Sequence, residues 1–245
     1  MKRFFYDFHN HSCLSPCADD DATPAAIAGM GALAGYQIMA LTDHNSAKNC
    51  PAFFAAAEAY GIIPIAGMEL TTAEEIHVVC LFETLDGALA FDQEIEGHRL
   101  PIKNKPETFG DQIIVDENDT VIGYEEMLLL VATTVPLEDV PALVEKHGGI
   151  CYPAHIDRES GGLLAILGDF PPDIPFRHAE LHDMKNSEAL IQKHPCLADM
   201  TLLSSEDAHR LEGVRDAEAT ISLDVEGEGA DAVRKALFQR LGGRD

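Results

Sequence analysis

Eight short apolar segments rich in β-branched residues run along the chain, and helical stretches separate several of them. Strands are predicted over residues 4–11, 38–44, 62–70, 76–82, 149–156, 178–182, 201–205 and 220–225. Helices are predicted over residues 24–35, 51–60, 136–147 and 231–241. This alternation, with strands that are apolar throughout, favours a parallel sheet or barrel covered by helices. The length of 245 residues fits one such α/β domain, residues 1–245.

Residues 83–135 interrupt this alternation and are rich in charge. Within them, the segment Asp111–Glu126 predicts two short strands around an Asn-Asp turn. We interpret residues 83–135 as an insertion that carries a β-hairpin. Two roles stay open for it: a cover over a binding site that selects among substrates, or a decorative or oligomer-forming hairpin.

The chain is strongly acidic, with 17 Lys and Arg residues against 42 Asp and Glu residues and a formal charge of −25. Such a chain repels nucleic acid and anionic lipid, which argues against a broad basic interface for DNA. An apolar fraction of 46% argues against disorder, and no apolar run approaches the length of a membrane span. The N-terminus becomes polar too early for a secretory signal peptide, so we expect a cytoplasmic protein with free cysteines.

Histidine and acidic residues concentrate at the ends of the predicted strands. The set comprises His9, His11, Asp43, His44, Glu69, His77, His155, Asp207 and His209. In a (β/α) barrel such residues reach a single rim, where function collects. One histidine at a strand end is more often hydrogen-bonded than a metal ligand, but the joint pattern favours a metal site. Imidazole and carboxylate suit Zn, Fe or Mn, and the set is too large for one ion, so a shared carboxylate such as Glu69 is expected to bridge two.

These residues, together with their neighbours, resemble the PHP (polymerase and histidinol phosphatase) family. The matching motifs are His9-x-His11, Thr42-Asp43-His44, Gly67-Met68-Glu69, Ile76-His77, Pro153-Ala154-His155 and Asp207-Ala208-His209. The resemblance implies a distorted (β/α)7 TIM-like barrel with two or three divalent ions, Zn, Mn or Fe, that hydrolyses phosphoesters. It implies three ligand sets: His9, His11, Glu69 and Asp207 for one ion, Glu69, His77 and His155 for a second, and His44 and His209 for a third.

The third ion needs a further ligand, and here the chain departs from the family pattern. Members carry an acid or histidine in the loop after the first strand, shortly before a Thr-Pro pair. Anchoring on Thr23-Pro24 makes Asp19 the matching ligand, with Asp20 as the second choice. A solvated loop whose acids complement the dipole of the next helix is an open alternative. Cys13 and Cys17 lie nearby, as a thiolate ligand, a redox pair or structural thiols.

The resemblance implies metal-assisted hydrolysis, in which a hydroxide that bridges two ions attacks phosphorus. Glu69, Asp43 and His209 are candidate catalytic residues: Glu69 joins two ions, Asp43 orients a ligand or water, and His209 is one candidate proton donor. Arg158 and His182 are candidates for contact with the substrate. For Arg158 the alternatives are a bidentate grip on phosphate and a surface ion pair.

The acidic exterior favours a small phosphoester, such as a nucleotide, a sugar phosphate or a compound like histidinol phosphate, over long DNA or RNA. No membrane partner is expected. Two alternative functions stay open: a non-catalytic metal-dependent binding or regulatory module, and a metal hydrolase of the amidohydrolase type that acts on C–N bonds.

Overall fold

The structure is a computed structural model that describes residues 1–243. Its strands are β1 (Lys2–Asp7), β2 (Ile38–Leu41), β3 (Ile63–Thr71), β4 (His77–Phe82), β5 (Ile113–Val115), β6 (Val121–Tyr124), β7 (Gly149–Pro153), β8 (His178–Glu180), β9 (Thr201–Leu203) and β10 (Thr220–Leu223). Its α-helices are α1 (Pro24–Ala34), α2 (Cys50–Ala59), α3 (Leu85–Glu96), α4 (Pro106–Phe109), α5 (Val140–Lys146), α6 (Leu163–Leu167), α7 (Ser187–Lys193) and α8 (Ala230–Gly242). Among the described residues, none of these helices combines the length and apolar composition that a membrane crossing needs.

Each of the eight strands predicted from the sequence is present, and most of them end two to four residues earlier than predicted. Most of the polar residues placed at their carboxyl ends therefore lie in the loops, whereas Glu69 lies within β3. The backbone groups of these loops bond to other loops and to strand ends: His11 N–H donates to Ala208 O of the loop after β9 at 2.9 Å, and Asn45 N–H donates to Glu69 O of β3 at 2.9 Å. The loop residues are thereby held close to one another at the edge of the sheet.

Six strands form one sheet in the order β10-β1-β2-β3-β4-β7. The prediction of a parallel sheet is confirmed for β1, β2 and β3 but was wrong for two other strands, because β4 pairs antiparallel with both β3 and β7, and β10 pairs antiparallel with β1. Only residues 72–76 separate β3 from β4. A parallel neighbour needs a crossover of about a dozen residues, so this connection permits only an antiparallel return.

The strands β8 and β9 form a separate parallel pair. Two backbone contacts join this pair to the rest of the fold at its carboxyl edge: Ile156 N–H donates to Glu180 O at 2.9 Å, and Asn10 forms a parallel bridge with Ala208. The α/β class is therefore confirmed. Among residues 1–243 the strands do not form one continuous seven-stranded sheet, so the closed barrel stays a prediction.

The six-stranded sheet is buried on both faces. On one face Met39, Leu41 and Met68 pack into an apolar cluster with residues of α1, α2, α3 and α5. On the other face Ile38 and Ala40 pack with Leu237 and other residues of α8. Burial on both faces explains why the strands are apolar throughout instead of alternating.

Residues 83–135 contain the antiparallel hairpin of β5 and β6 and also α3, which the sequence analysis did not predict. Phe91 and Ile95 of α3 are fully buried in the main apolar cluster. The hairpin packs on the loops that follow β1 and β2: Ile113 N–H donates to Cys13 O at 2.8 Å, and Asn49 Nδ2 donates to Ile113 O at 3.0 Å. The segment is thus joined to the loops that carry the predicted ligands, and its status as an insertion stays a prediction.

Candidate metal centre

The carboxyl ends of β1, β2, β3 and β7 meet at one edge of the sheet, because these strands are mutually parallel. Since β4 runs in the opposite direction, its first residue, His77, lies at the same edge. The Asn10–Ala208 bridge then places the loop after β9 beside the loop after β1. Topology thus gathers what we call the histidine–carboxylate cluster: His9, His11, His44, Glu69, His77, His155, Asp207 and His209.

Four residues of the cluster form a compact group: His9, His11, Glu69 and Asp207, whose ligand atoms all lie within 4.8 Å of one another. His9 Nε2 lies 3.3 Å from Glu69 Oε1 and 3.4 Å from Asp207 Oδ1. His11 Nε2 lies 3.2 Å from Glu69 Oε2 and 3.1 Å from Asp207 Oδ1. Ligands at about 2.0–2.2 Å from a tetrahedral ion are themselves roughly 3.3 Å apart, so these spacings fit one shared cation.

The outer nitrogens of both histidines are already used. His9 Nδ1 lies 2.9 Å from the Glu180 carboxylate, which only accepts hydrogen bonds, so Nδ1 carries the proton. His11 Nδ1 lies 3.0 Å from Ser15 Oγ, whose own proton goes to Asp43 at 2.7 Å, so His11 also donates from Nδ1. In the neutral rings both Nε2 atoms then present lone pairs, although they lie only 3.2 Å apart. Two lone pairs and two carboxylates that face one another need positive charge between them, which either protons or a metal ion can supply.

Three of the remaining histidines surround Glu69. His77 Nδ1 and His155 Nε2 each lie 3.0 Å from Glu69 Oε1, and His44 Nδ1 lies 3.0 Å from Glu69 Oε2. Two further groups have ligand atoms within 4.8 Å of one another: His44, Glu69 and His77, and His11, His44 and His209. Glu69 therefore belongs to two of the three groups, and its role as a bridging carboxylate stays a prediction. The third group contains His11 and does not include Asp19.

Protonation in the absence of an ion follows from the same contacts. Burial would raise the pKa of Glu69, but the surrounding imidazoles, His77 and His9 first, hold it well below its usual range. Burial would lower the pKa of His11, but hydrogen bonds to Asp207 and Glu69 raise it to about 9. A bound ion therefore competes with protons for His11. Burial lowers the pKa of His44 to about 4, so that ring is neutral and able to coordinate at neutral pH.

Two cluster residues have strained backbones. His155 has a φ of 26° and Asp207 a φ of 51°, in the left-handed region that non-glycine residues seldom adopt. Conformations of this kind destabilise a protein by about 1–3 kcal/mol each and persist at functional sites. The tertiary structure thus maintains an unfavourable backbone where these two ligands face Glu69 and His9.

The structure places the other predicted ligands outside the cluster. The Asp19 side chain is half exposed, and its Oδ1 lies 3.5 Å from Arg210 Nε, while Asp20 is exposed. Cys17 is exposed as well. Cys13 is buried, and burial raises its pKa to about 12, which disfavours the thiolate form needed of a ligand or redox residue. All six cysteines are free thiols. Asp19 as a ligand stays a prediction.

Arg158 and His182 lie together beside the cluster. Arg158 forms an ion pair with Asp207 through Nη1 and donates from Nη2 to His182 Nδ1 at 2.9 Å. The ion pair of Arg158 is thus with Asp207 and not with its neighbour Asp157, which accepts hydrogen bonds from the backbone N–H groups of residues 182 and 183. About a third of the Arg158 side chain is exposed, so it remains open to an anion at this edge.

Sequence reasoning missed Glu180 and Ser15. The Glu180 carboxylate, fully buried, accepts from His9 Nδ1 and, at 3.1 Å, from His155 N–H, so it orients two members of the cluster. A signal was present, since Glu180 lies two residues from His182 on a predicted strand and must face the same side. Ser15, which joins His11 to Asp43, has no such signal because it lies in an irregular loop.

The sequence matches the family model of the PHP domain over residues 7–196. The chain belongs to the PHP domain family. No curated protein sequence matches it. The cluster gives this PHP domain groups of imidazole and carboxylate side chains that could hold a metal ion.

Several solved structures share the fold of this PHP domain. The lesion-specific endonuclease EndoQ from Pyrococcus furiosus aligns with a TM-score of 0.63 and 16% identity over 100% of this chain and 57% of that chain. A protein from Bifidobacterium adolescentis assigned as a metal-dependent phosphoesterase aligns with a TM-score of 0.56 and 15% identity over 95% of both chains. An amidohydrolase from Chromobacterium violaceum aligns with a TM-score of 0.57 and 18% identity over 89% and 92%.

One of these comparisons overturns a prediction. Endonuclease Q has been solved with a 27-mer duplex that carries an abasic lesion at its active site, and this chain aligns with it at a TM-score of 0.61 and 17% identity. The alignment covers 96% of this chain and 56% of the endonuclease chain, so this chain spans little more than half the length of that protein. The exclusion of long nucleic acid was wrong, because net charge describes a whole surface whereas the fold also serves a duplex DNA substrate.

Proposed function

We propose that this PHP domain hydrolyses phosphoester bonds with the help of divalent ions held by the histidine–carboxylate cluster. The observation that supports this most directly is that four buried side chains converge. The Nε2 atoms of His9 and His11 each lie 3.1–3.4 Å from carboxylate oxygens of Glu69 and Asp207. Buried carboxylates of this kind need compensating positive charge, which divalent ions supply.

The donor set is made of imidazole and carboxylate, which suits Zn, Mn or Fe. We propose a first ion at His9, His11, Glu69 and Asp207 and further ions at the groups that His44, His77, His155 and His209 complete. Bound there, such ions would activate water and neutralise the charge that develops on the phosphoryl oxygens. The backbone contacts that join the loops after β7 and β1 to β8 and to the loop after β9 also support the predicted seven-stranded arrangement around this site.

The chain's own residues would supply binding and proton transfer. Arg158 directs a guanidinium towards Asp207 and His182 and keeps part of its surface free for a phosphoryl oxygen. Because Arg158 can only donate, His182 accepts at Nδ1 and holds its proton at Nε2, which makes it our candidate donor to the leaving oxygen. His209 is less suited to that step, since its Nδ1 donates to Asp207 O at 2.9 Å and its other nitrogen is left as a ligand.

Two substrate classes contain the reacting group: small phosphoesters, which the sequence analysis favoured, and the phosphodiesters of DNA, which the endonuclease neighbours favour. The assay therefore uses both. Protein stripped with a chelator and reloaded with Mn, Zn or Fe is tested on p-nitrophenyl phosphate, a nucleotide panel and a duplex with an abasic site. An amide panel tests for C–N hydrolysis, the activity class of the amidohydrolase neighbour.

We expect metal-loaded wild type to hydrolyse at least one phosphoester and His9→Ala to lose that activity. The matched control is His98→Ala, because His98 bonds to Thr134 outside the cluster. Turnover of amides alone would replace the proposal with an amidohydrolase. Metal binding without turnover of any phosphoester would favour a non-catalytic binding module instead.

A further inference from the structure

The loop that follows β2 carries His44, and its next residue has an unusual backbone. Asn45 has a φ of 47°, in the left-handed region that Asn tolerates better than most residues. Asn45 N–H donates to Glu69 O at 2.9 Å, so this residue lies directly between two members of the cluster. The direction in which His44 leaves the loop therefore depends on what holds Asn45.

Each polar group of the Asn45 side chain has a partner. Nδ2 donates to Leu129 O at 2.7 Å and to Val131 O at 3.0 Å, and Oδ1 accepts from Thr71 N–H at 2.8 Å. Two of these three contacts come from residues 83–135. That segment thus holds the side chain of Asn45, and its β5–β6 hairpin also packs on the loops that follow β1 and β2.

The carbonyl of Asn45 is held by Arg99, which follows α3 in the same segment. Arg99 Nε and Nη2 both donate to Asn45 O, at 2.9 and 2.5 Å. Nη2 also donates to Asp92 at 2.7 Å, and Asp92 accepts from Ala47 N–H at 3.0 Å. Only 8% of the Arg99 side chain is exposed. A fork of two donors on one carbonyl fixes the direction of the peptide plane, which a single point charge does not.

We propose that Arg99 is a positioning residue for the metal ligand His44. Through Asn45 it fixes the backbone from which the His44 ring reaches Glu69, 3.0 Å away. Residues 83–135 are in this view neither a cover nor a decoration, but the support of the side of the cluster where His44 lies. The proposal rests on the metal site of the proposed function, and it does not depend on which substrate is cleaved.

The test compares four variants of the full chain. Arg99→Met removes the fork, Arg99→Lys keeps the charge without it, and His44→Ala removes the ligand itself. Lys48→Met is the matched control, because Lys48 pairs with Glu125 and Glu96 in the same charged surroundings but makes no contact with Asn45. Each metal-free protein is titrated with Mn²⁺ by electron paramagnetic resonance, and its melting temperature is measured with and without saturating Mn²⁺.

Loss of a group that orients a ligand weakens metal binding by about 10- to 100-fold. We expect Arg99→Met to lower the affinity for one Mn²⁺ ion by this factor, and this ion should be the one whose affinity His44→Ala also lowers. Arg99→Lys should fall between Arg99→Met and wild type, and Lys48→Met should bind like wild type. The gain in melting temperature on addition of Mn²⁺ should shrink in Arg99→Met, because that gain reports metal affinity. In the double variant Arg99→Met/His44→Ala the two losses should not multiply.

Three results would overturn the proposal. One is an equal fall in melting temperature for Arg99→Met with and without Mn²⁺ at unchanged affinity, which would mark a purely structural residue. Another is the full Arg99→Met loss in the His44→Ala background, which would place its effect elsewhere. The third is unaltered Mn²⁺ binding in His44→Ala, which would remove the ligand role. Absence of hydrolysis by wild type that still binds Mn²⁺ would refute the proposed function while these titrations continue to test Arg99.

Discussion

Glu180 provides a sharp test of the metal centre, because it orients a ligand without belonging to the cluster. Its carboxylate accepts from His9 Nδ1 at 2.9 Å and from His155 N–H at 3.1 Å, and it is fully buried. Glu180→Gln keeps the shape of the side chain and one acceptor oxygen but removes the negative charge. We expect the His9 ring to lose both its electrostatic partner and part of its basicity.

The magnitude follows from the contacts. A hydrogen bond to a charged group contributes about 1.5–3 kcal/mol to stability, which corresponds to roughly a 10- to 100-fold change in an equilibrium constant. Measured losses for residues that support a metal-bound histidine fall in about the same range, 10- to 100-fold. We therefore expect Glu180→Gln to bind the ion at His9 and His11 about 10 to 100 times more weakly than wild type.

The assay is competition between the metal-free protein and a chromophoric chelator for Zn²⁺ or Mn²⁺. Glu94→Gln is the control, since Glu94 pairs with Lys146 and His147 and has no contact with the cluster. Wild-type affinity in Glu180→Gln would refute the reasoning. So would equal loss in both variants, because the effect would then come from charge removal in general and not from the orientation of His9.

Other predictions follow from single contacts. Burial would lower the pKa of His11, but Asp207 and Glu69 raise it to about 9, above the ordinary value near 6.5. Metal-free protein should therefore gain stability from protonated His11 below pH 6.5 and lose that stability as the pH rises through 9. Melting temperatures measured from pH 6 to 10 should show this loss in metal-free protein and not in metal-loaded protein. Gly67→Ala should destabilise by about 1–3 kcal/mol in urea unfolding, because a Cβ there would lie 2.8 Å from Cys80 O; an unchanged midpoint would contradict that crowding. Arg158→Ala should raise KM for phosphoesters more than Arg158→Lys does, and equal KM values would exclude a phosphate contact.

Much of the site was predictable because strand ends and spacing fix where side chains lie. His9 and His11 are two residues apart, which predicts a shared face; Glu69 lies near the end of β3 and His155 follows β7, and these two strands end at one edge. The antiparallel direction of β4 was also implicit, since too few residues separate it from β3 for a crossover. For Asp19 the local sequence offered only an acidic run before Thr23-Pro24, and a run of this kind does not tell whether its side chains face the cluster or, as here, lie half exposed beside Arg210.

The sequence by itself determined the α/β class, the strand set and the residues of the histidine–carboxylate cluster, because hydrophobic periodicity and residue type act over short distances along the chain. Only the tertiary structure decided which residues orient those ligands. Glu180 lies 171 residues from His9, and Arg99 lies 54 residues from Asn45. Contacts of that separation depend on how β8 and α3 pack against the sheet, and no local pattern records them.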